Sequence, residues 1–294
     1  MEMGKLIRVI RKNKNLKSKD VYKDILTRPA ISRFERGQSD TTAEKLFQIL
    51  RNMNITLEEF YFQYNGNAES DDFLTVDAYT EAYYAKDLSK LADLERDAKM
   101  RYEETANIKF LHYAAIIHLF QRKLSYQPVS NEHFSIIRDY LVACETWGYY
   151  EVVLFTNSLD FFPADLIDAL YPTVKLKMTE FNRIRRYKNE LFSLISNILV
   201  LYLEKNNADK SAYYYAELES AVSNSDNRMY EHAILLFFKE LIALIKNKQE
   251  SIHQMHTILQ TFELLGMERI HNQCQGLLAT VRLNNTDTFT LSSG

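Results

Sequence analysis

Glycine and proline are scarce in this chain, 7 and 4 of 294 residues. A β-rich protein needs both at its many turns. Their scarcity argues against sandwiches and barrels and predicts long helices joined by short connections. Cysteine is nearly absent. Cys144 and Cys274 lie far apart and follow no metal-ligand spacing, which excludes a disulfide scaffold. With no signal-like N-terminus, a reduced cytosolic location is expected. Long apolar runs are also missing. The longest, "LFSLISNILVLYL" (Leu191–Leu203), has 13 residues and is broken by Ser193, Ser196 and Asn197. A bilayer demands roughly 20, so no membrane span is expected.

Catalytic patterns are missing too. There is no Gly-rich phosphate loop and no G-x-S-x-G. The seven histidines (112, 118, 133, 232, 253, 256 and 271) form no HExxH. His253 and His256 are three apart, not four, and read as surface residues. The chain is therefore expected not to be an enzyme, with no catalytic residues, metal or cofactor.

What is present is a hydrophobic content of 46 %, enough for a sizeable core, in a length comfortable for two domains. The net charge of −3 hides an asymmetry. Residues 1–65 hold 13 Lys/Arg against 8 Asp/Glu, and the remainder 23 against 31. A basic end on an acidic body predicts that only the first end meets a polyanion.

The basic end reads as five short helices. "GKLIRVIRKNK" places Leu6, Ile7 and Ile10 at helical spacing. "SKDVYKDIL" follows, with Ser18 as N-cap. "TRPAISRFERG" has Thr27 as N-cap, Pro29 in the first turn and Gly37 as the stop. "TTAEKLFQILRNMN" begins at Thr42, and "TLEEFYFQY" carries a Thr56–Glu59 capping box. "NGNAESDD" (residues 65–72) is the best linker in the chain. Beyond it, apolar helices begin at Ile108, Tyr149, Asn189 and Met229, with spacings of 41, 40 and 40 residues. Each is followed by a more amphipathic helix: from Ser130, a Pro-interrupted one through "LYPTVKLKMTEFN", from Lys210 and from Ser251. Two helices per period of about 40 mark a tetratricopeptide-like α-solenoid. "MERIHNQCQGLLATVRL" would close it, and "NNTDTFTLSSG" reads as frayed.

A helix-turn-helix lays one helix across the phosphates and enters the major groove with the next. In "TRPAISRFERG", Ile31 and Phe34 face inward, and Arg28, Ser32 and Arg33 face out. The alternative is a solvated surface helix. "ISRFERG", preceded by "LTR" and followed by "SD", "EKLFQIL" and "NITLEEF", resembles the DNA-binding end of the Rgg/GadR/MutR regulators. These are cytosolic transcription regulators of low-GC Gram-positive bacteria, related to phage-repressor-type proteins. The resemblance covers residues 4–62. It implies that Arg11 and Glu35 pair to lock the first and third helices, that Ser32 and Arg33 touch DNA, and that Arg28 is a basic position at the turn. Pro29 and Ala30 stand where the family commonly has Ser and Gln. Ala30 offers thymine only a methyl contact where Gln would read adenine. Lys17 and Ser18 likewise replace the usual Ser-Gln pair opening the second helix. All seven positions are candidate DNA contacts, but the operator cannot be inherited from relatives.

In the long part, polar residues on apolar helices mark a ligand surface. Asn157 and Asn197 could clamp a peptide backbone through their carboxamides. Tyr187 and Tyr230 could supply walls. Arg183, Arg185 and Arg186 in "NRIRRY" could hold a carboxylate or acidic side chain. Each has a bland alternative: core asparagines, helix-packing tyrosines, a solvated arginine face. The resemblance implies a short signalling peptide, a reimported pheromone, in a concave groove, as in quorum sensing.

The expected protein is all-α and homodimeric. It has a helix-turn-helix domain (1–65), a linker (66–72), a ligand-binding and dimerising solenoid (73–285) and a flexible tail (286–294). The dimer contact is expected on Ser251–Leu283, where a terminal apolar face would otherwise be exposed. The alternative is a regulator without a peptide ligand, its solenoid serving dimerisation and protein contacts. A third reading, a repeat-built adaptor, conflicts with the charge split.

Overall fold

A computed structural model describes residues 2–65, 71–181, 183–222, 228–246 and 252–291. The expected linker falls mostly outside these residues. The described chain is helical, with sixteen α-helices, one 3-10 turn and no strand among those residues. It divides into two compact units, Met1–Lys90 and Leu91–Gly294.

The first unit opens with five helices: α1 (Met3–Asn13), α2 (Ser18–Tyr22), α3 (Arg28–Glu35), α4 (Ala43–Asn52) and α5 (Leu57–Tyr64). Leu6, Ile7 and Ile10 of α1 pack with Val21, Tyr22, Phe34, Ile49 and Phe60 in one core. Phe34 is fully buried. That burial contributes roughly 2–3 kcal/mol. Gly4 is fixed by a close approach. A Cβ there would lie 1.8 Å from the Phe34 carbonyl oxygen, so α1 rests directly on the end of α3. Gly37 stops α3 in the left-handed region, φ +74°. Thr42 Oγ1 accepts from the Lys45 amide at 3.4 Å. In the capping box, Thr56 Oγ1 accepts from the Glu59 amide at 3.1 Å, and Glu59 Oε2 accepts from the Thr56 amide at 2.7 Å. Two expected caps differ. Lys17 takes the cap position of α2, so Ser18 is the first helical residue, and neither makes a side-chain cap bond. Thr27 stands at the cap of α3 with its hydroxyl uncommitted to the cap. There Pro29 lacks an N–H to be capped. A sixth helix, α6 (Asp71–Tyr84), belongs to this unit, although the sequence reading places residues 71 and 72 in the linker.

The next helix, α7 (Leu88–Thr105), spans the division between the units. Then come α8 (Ile108–Leu124), α9 (Asn131–Ala143), α10 (Tyr149–Ser158), a 3-10 turn (Leu159–Phe161), α11 (Ala164–Glu180), α12 (Arg185–Glu204), α13 (Ala208–Ala221), α14 (Met229–Ile245), α15 (Ile252–Leu264) and α16 (Glu268–Leu291). Helices pack on their successors in a row: α8 on α9, α9 on α10, α12 on α13, α13 on α14, α14 on α15. α12 also touches α10 and α11. The side-chain sequence explains the packing. Nine residues of α8 are buried, almost all around the helix, as its unbroken apolar run requires. Tyr202 and Tyr214 both donate to Asp168 Oδ1, at 2.8 and 2.6 Å, tying α11, α12 and α13 together.

α8, α10 and α14 start where the periodicity predicts. α12 starts at Arg185, four residues before the expected Asn189. The extra turn is held by burial of Tyr187, and no breaker precedes Asn189. Pro172 does not interrupt its helix. It lies inside a continuous α11, which tolerates one missing N–H donor. α16 is helical to Leu291, past residue 286 where the tail is expected to begin. The exposed terminal face does not exist on α16 in the form expected. α16 folds back on α12, α14 and α15, burying Cys274, Leu277, Leu278 and Val281 within the same chain. Leu264, Leu265 and Leu283 stay exposed.

Candidate functional site

In the first unit, α2 and α3 are joined by five residues and form the two-helix element the sequence predicts. Arg28, Pro29, Ser32 and Arg33 are exposed on α3, with Phe34 and Glu35 buried behind them. Arg28 and Ser32, and Pro29 and Arg33, are each four residues apart and share the outer face. Ala30 is half-buried, so it offers less surface than its neighbours. Lys17 is exposed and Ser18 half-buried at the start of α2. Among the described residues no carboxylate pairs with Lys17, Arg28 or Arg33, so their charge faces outward.

Behind this face lies the Arg11–Glu35 pair. Arg11 Nε donates to Glu35 Oε1 at 2.6 Å and Nη2 to Oε2 at 2.9 Å. Arg11 Nη1 also donates to the Leu16 carbonyl at 2.9 Å. A third partner was not legible in the sequence: Tyr22 OH donates to Glu35 Oε1 at 2.8 Å. One carboxylate therefore joins α1, α2 and α3. Burial alone would raise the Glu35 carboxyl, but the hydrogen bonds from Arg11 and Tyr22 outweigh it and hold it below the usual range. Glu35 supplies no negative charge to the outer face, because its charge is spent internally. Lys14 Nζ donates to the Met53 and Asn54 carbonyls at 3.1 and 3.0 Å, closing α4.

In the second unit, the expected ligand residues fall on α10, α12, α14 and the segment before α12. α12 packs against both α10 and α14. Arg186, Glu190, Ser193 and Asn197 are spaced four, three and four apart on one face of α12. Arg186, Ser193 and Asn197 are exposed. Arg183 is also exposed. Tyr230 is 38 % exposed, with its ring 6.0 Å from that of Phe192. Two expected residues have other employment. Asn157 Nδ2 donates to the Val153 carbonyl of its own helix at 2.8 Å, leaving only part of its amide to a ligand. Thr156 and Ser158 make the same kind of back-bond. Three in succession weaken the ladder where α10 tightens into the 3-10 turn. Tyr187 is 6 % exposed and is not an open wall. It stacks on Phe181 at 4.8 Å and meets Tyr149 edge-on at 5.4 Å. The Arg186 guanidinium stands 4.9 Å from the Tyr149 ring centre, a cation–π position. Tyr187 thus supports Arg186. Glu190, which the sequence reading missed, lies beside Thr156 on α10, and burial raises its carboxyl.

A free basic face on the second helix of a braced helix-turn-helix, in a chain whose other unit is a row of helix pairs, defines a DNA-binding regulator with a helical-repeat C-terminal part. Comparison with known families agrees. The model described as "HTH-type transcriptional regulator Rgg, C-terminal domain" matches residues 91–276, and a helix-turn-helix model matches residues 7–60. The chain belongs to the Rgg family of helix-turn-helix transcriptional regulators, not to an enzyme family. Solved structures share the fold. A protein of Listeria monocytogenes EGD-e, provisionally described as a transcriptional regulator, is 23 % identical with a TM-score of 0.85, over 97 % of this chain and 98 % of that one. The Streptococcus dysgalactiae SHP pheromone receptor Rgg2 is 24 % identical with a TM-score of 0.74, over 95 % and 99 %. The PrgX/cCF10 complex is 13 % identical with a TM-score of 0.73, over 95 % and 99 %. No helix among the described residues is long and apolar enough to cross a membrane.

Proposed function

We propose that this regulator is a cytoplasmic homodimer whose DNA binding is controlled by a short peptide bound against α10, α12 and α14. The observation that carries the reading is the polar stripe of α12, Arg186–Glu190–Ser193–Asn197, on a helix flanked by α10 and α14. An exposed carboxamide offers a donor and an acceptor to a peptide backbone. Arg186, held over Tyr149, offers a carboxylate an oriented partner. Residues 1–65 would contact DNA through Lys17, Ser18, Arg28, Pro29, Ala30, Ser32 and Arg33. One such module makes few contacts, and two in a dimer would read half-sites roughly 34–36 Å apart or a multiple. To swing the protein from 1:99 to 99:1, the peptide must favour one state by about 5.5 kcal/mol. The pheromone-receptor and peptide-complex structures that share the fold support this reading.

The test is calorimetry with short synthetic peptides encoded near the gene. Saturable binding weakened at least ~10-fold by Asn197→Ala, about 1.4 kcal/mol, is expected. Promoter binding in the absence of any peptide response would favour a solenoid that serves only dimerisation and protein contacts.

A further inference from the structure

Three helices bring together residues that no sequence motif connects. Glu95 of α7, His118 of α8 and His133 of α9 each present a ligand-type atom, all within 4.8 Å of one another. His118 Nδ1 lies 3.3 Å from Glu95 Oε1. The His118 and His133 rings are parallel to within 16°, centres 3.8 Å apart. We propose that Glu95, His118 and His133 form a binding site for one divalent transition-metal ion of zinc-like character.

Two imidazoles and a carboxylate are a donor set that zinc accepts, leaving a fourth position for water or another ligand. Ligand atoms of a tetrahedral zinc ion stand about 3.4 Å apart, given bonds of ~2.0–2.1 Å. The His118–Glu95 separation is already close to that value. His133 stands within 4.8 Å of both and has to turn inward to complete the set.

The surroundings of the three residues are those of a metal site. Ser130 Oγ lies 2.8 Å from His133 Nδ1, which orients that ring and leaves Nε2 as its ligand atom. Gln121 Nε2 donates to Glu95 Oε2 at 2.7 Å, orienting the carboxylate while Oε1 faces the histidines. All three ligands are half-buried, and the Glu95 side chain is only 12 % exposed.

One group opposes the ion. Lys99 Nζ lies 2.6 Å from Glu95 Oε1 and holds the place of a cation. Its side chain is 53 % exposed, one turn along α7 from Glu95. Its ammonium can swing into solvent, so an ion bonded directly to Glu95 can take its place. Lys99 therefore gives the site a signature of opposite sign to its ligands.

The experiment uses the full chain, treated with chelator and then titrated. Zinc is followed by calorimetry and cobalt(II) by its visible absorption. One ion per chain and a four-coordinate cobalt spectrum are expected. Glu95→Gln and His133→Ala should each weaken binding at least ~100-fold. Lys99→Met, which removes no ligand, should tighten it several-fold. The last variant keeps the test decisive should a histidine variant fail to fold. Absence of saturable binding, binding unchanged by His133→Ala, or binding weakened by Lys99→Met would overturn the proposal. Binding unchanged by His133→Ala would place the ion on histidines elsewhere.

Discussion

Replacing Glu35 by Gln keeps its shape and removes its charge. The carboxylate accepts two bonds from Arg11 and one from Tyr22. Glutamine has one acceptor oxygen, and its amide would face the Arg11 Nη2 donor. One charge-assisted bond is lost outright, roughly 1.5–3 kcal/mol, and the other two become neutral-acceptor bonds, each weaker by about 0.5–1 kcal/mol. The side chains of Arg11 and Glu35 are 12 % and 11 % exposed, so solvent offers the stranded guanidinium little relief. The expected loss is about 3 kcal/mol, at the lower end for breaking a buried pair. Hydrogen exchange of the α1 and α3 amides measures it in place. Trp147, the single tryptophan, lies in the second unit, so its fluorescence should stay unchanged and serves as the control. The double variant Arg11→Met/Glu35→Leu should recover much of the loss, because no charge is left buried. The acid response gives an independent arm. Glu35 titrates below its ordinary 4.5 in the folded protein. Its contribution is therefore complete above ~4.5 and is lost as pH falls through the folded value. In Glu35→Gln that part of the acid response should vanish. A loss under ~1 kcal/mol, or a double variant as unstable as the two single variants added together, would refute the assigned role.

Gly4→Ala should destabilise the first unit by about 1–3 kcal/mol, because the new methyl meets the Phe34 carbonyl, a backbone atom that cannot move aside; thermal melting of the purified chain followed by amide exchange reads it. Arg33→Ala should weaken DNA binding, and if Arg33 holds one phosphate, the slope of log affinity against log salt should flatten by ~0.9 in fluorescence anisotropy titrations. An unchanged slope would move Arg33 away from the backbone contacts. His112, buried against Tyr140 and bonded to Tyr150 OH at 2.6 Å, is pushed by burial from 6.5 to about 4. The unfolded chain then binds the proton first, so second-unit stability should fall on the order of 3 kcal/mol between pH 6.5 and 4 from this group. Urea titrations read by Trp147 fluorescence should show a flatter pH dependence in His112→Gln.

Local signals in the sequence were reliable where the physics is local. Scarce glycine and proline led to helices. Apolar runs led to the starts of α8, α10 and α14. The Arg11 partner of Glu35 came from the family resemblance of the first and third helices. What depends on the packing of whole helices was not legible. Tyr22, the last residue of α2, reaches Glu35 at the end of α3 from thirteen residues away in sequence. Tyr187 looked like a wall by residue type and is buried by Phe181 and Tyr149. Glu95, His118 and His133 share no spacing that a motif would express, since each stands on a different helix. Cap chemistry failed at Ser18 and Thr27 for a smaller reason: a hydroxyl at or beside a helix start need not turn toward the backbone.

The return of α16 to the middle of its unit changes how that unit comes apart. Repeat arrays ordinarily melt from their ends, because each repeat touches only its neighbours. Here the last helix lies against α12 and α14, and Asn284 Nδ2 donates to the Glu204 carbonyl at the end of α12. The chain's end is thus a cross-brace, not a loose terminus. Shortening α16 would uncover the helix that carries the polar stripe, four elements earlier, and a row of repeats that could have unravelled piecemeal is made to open as one.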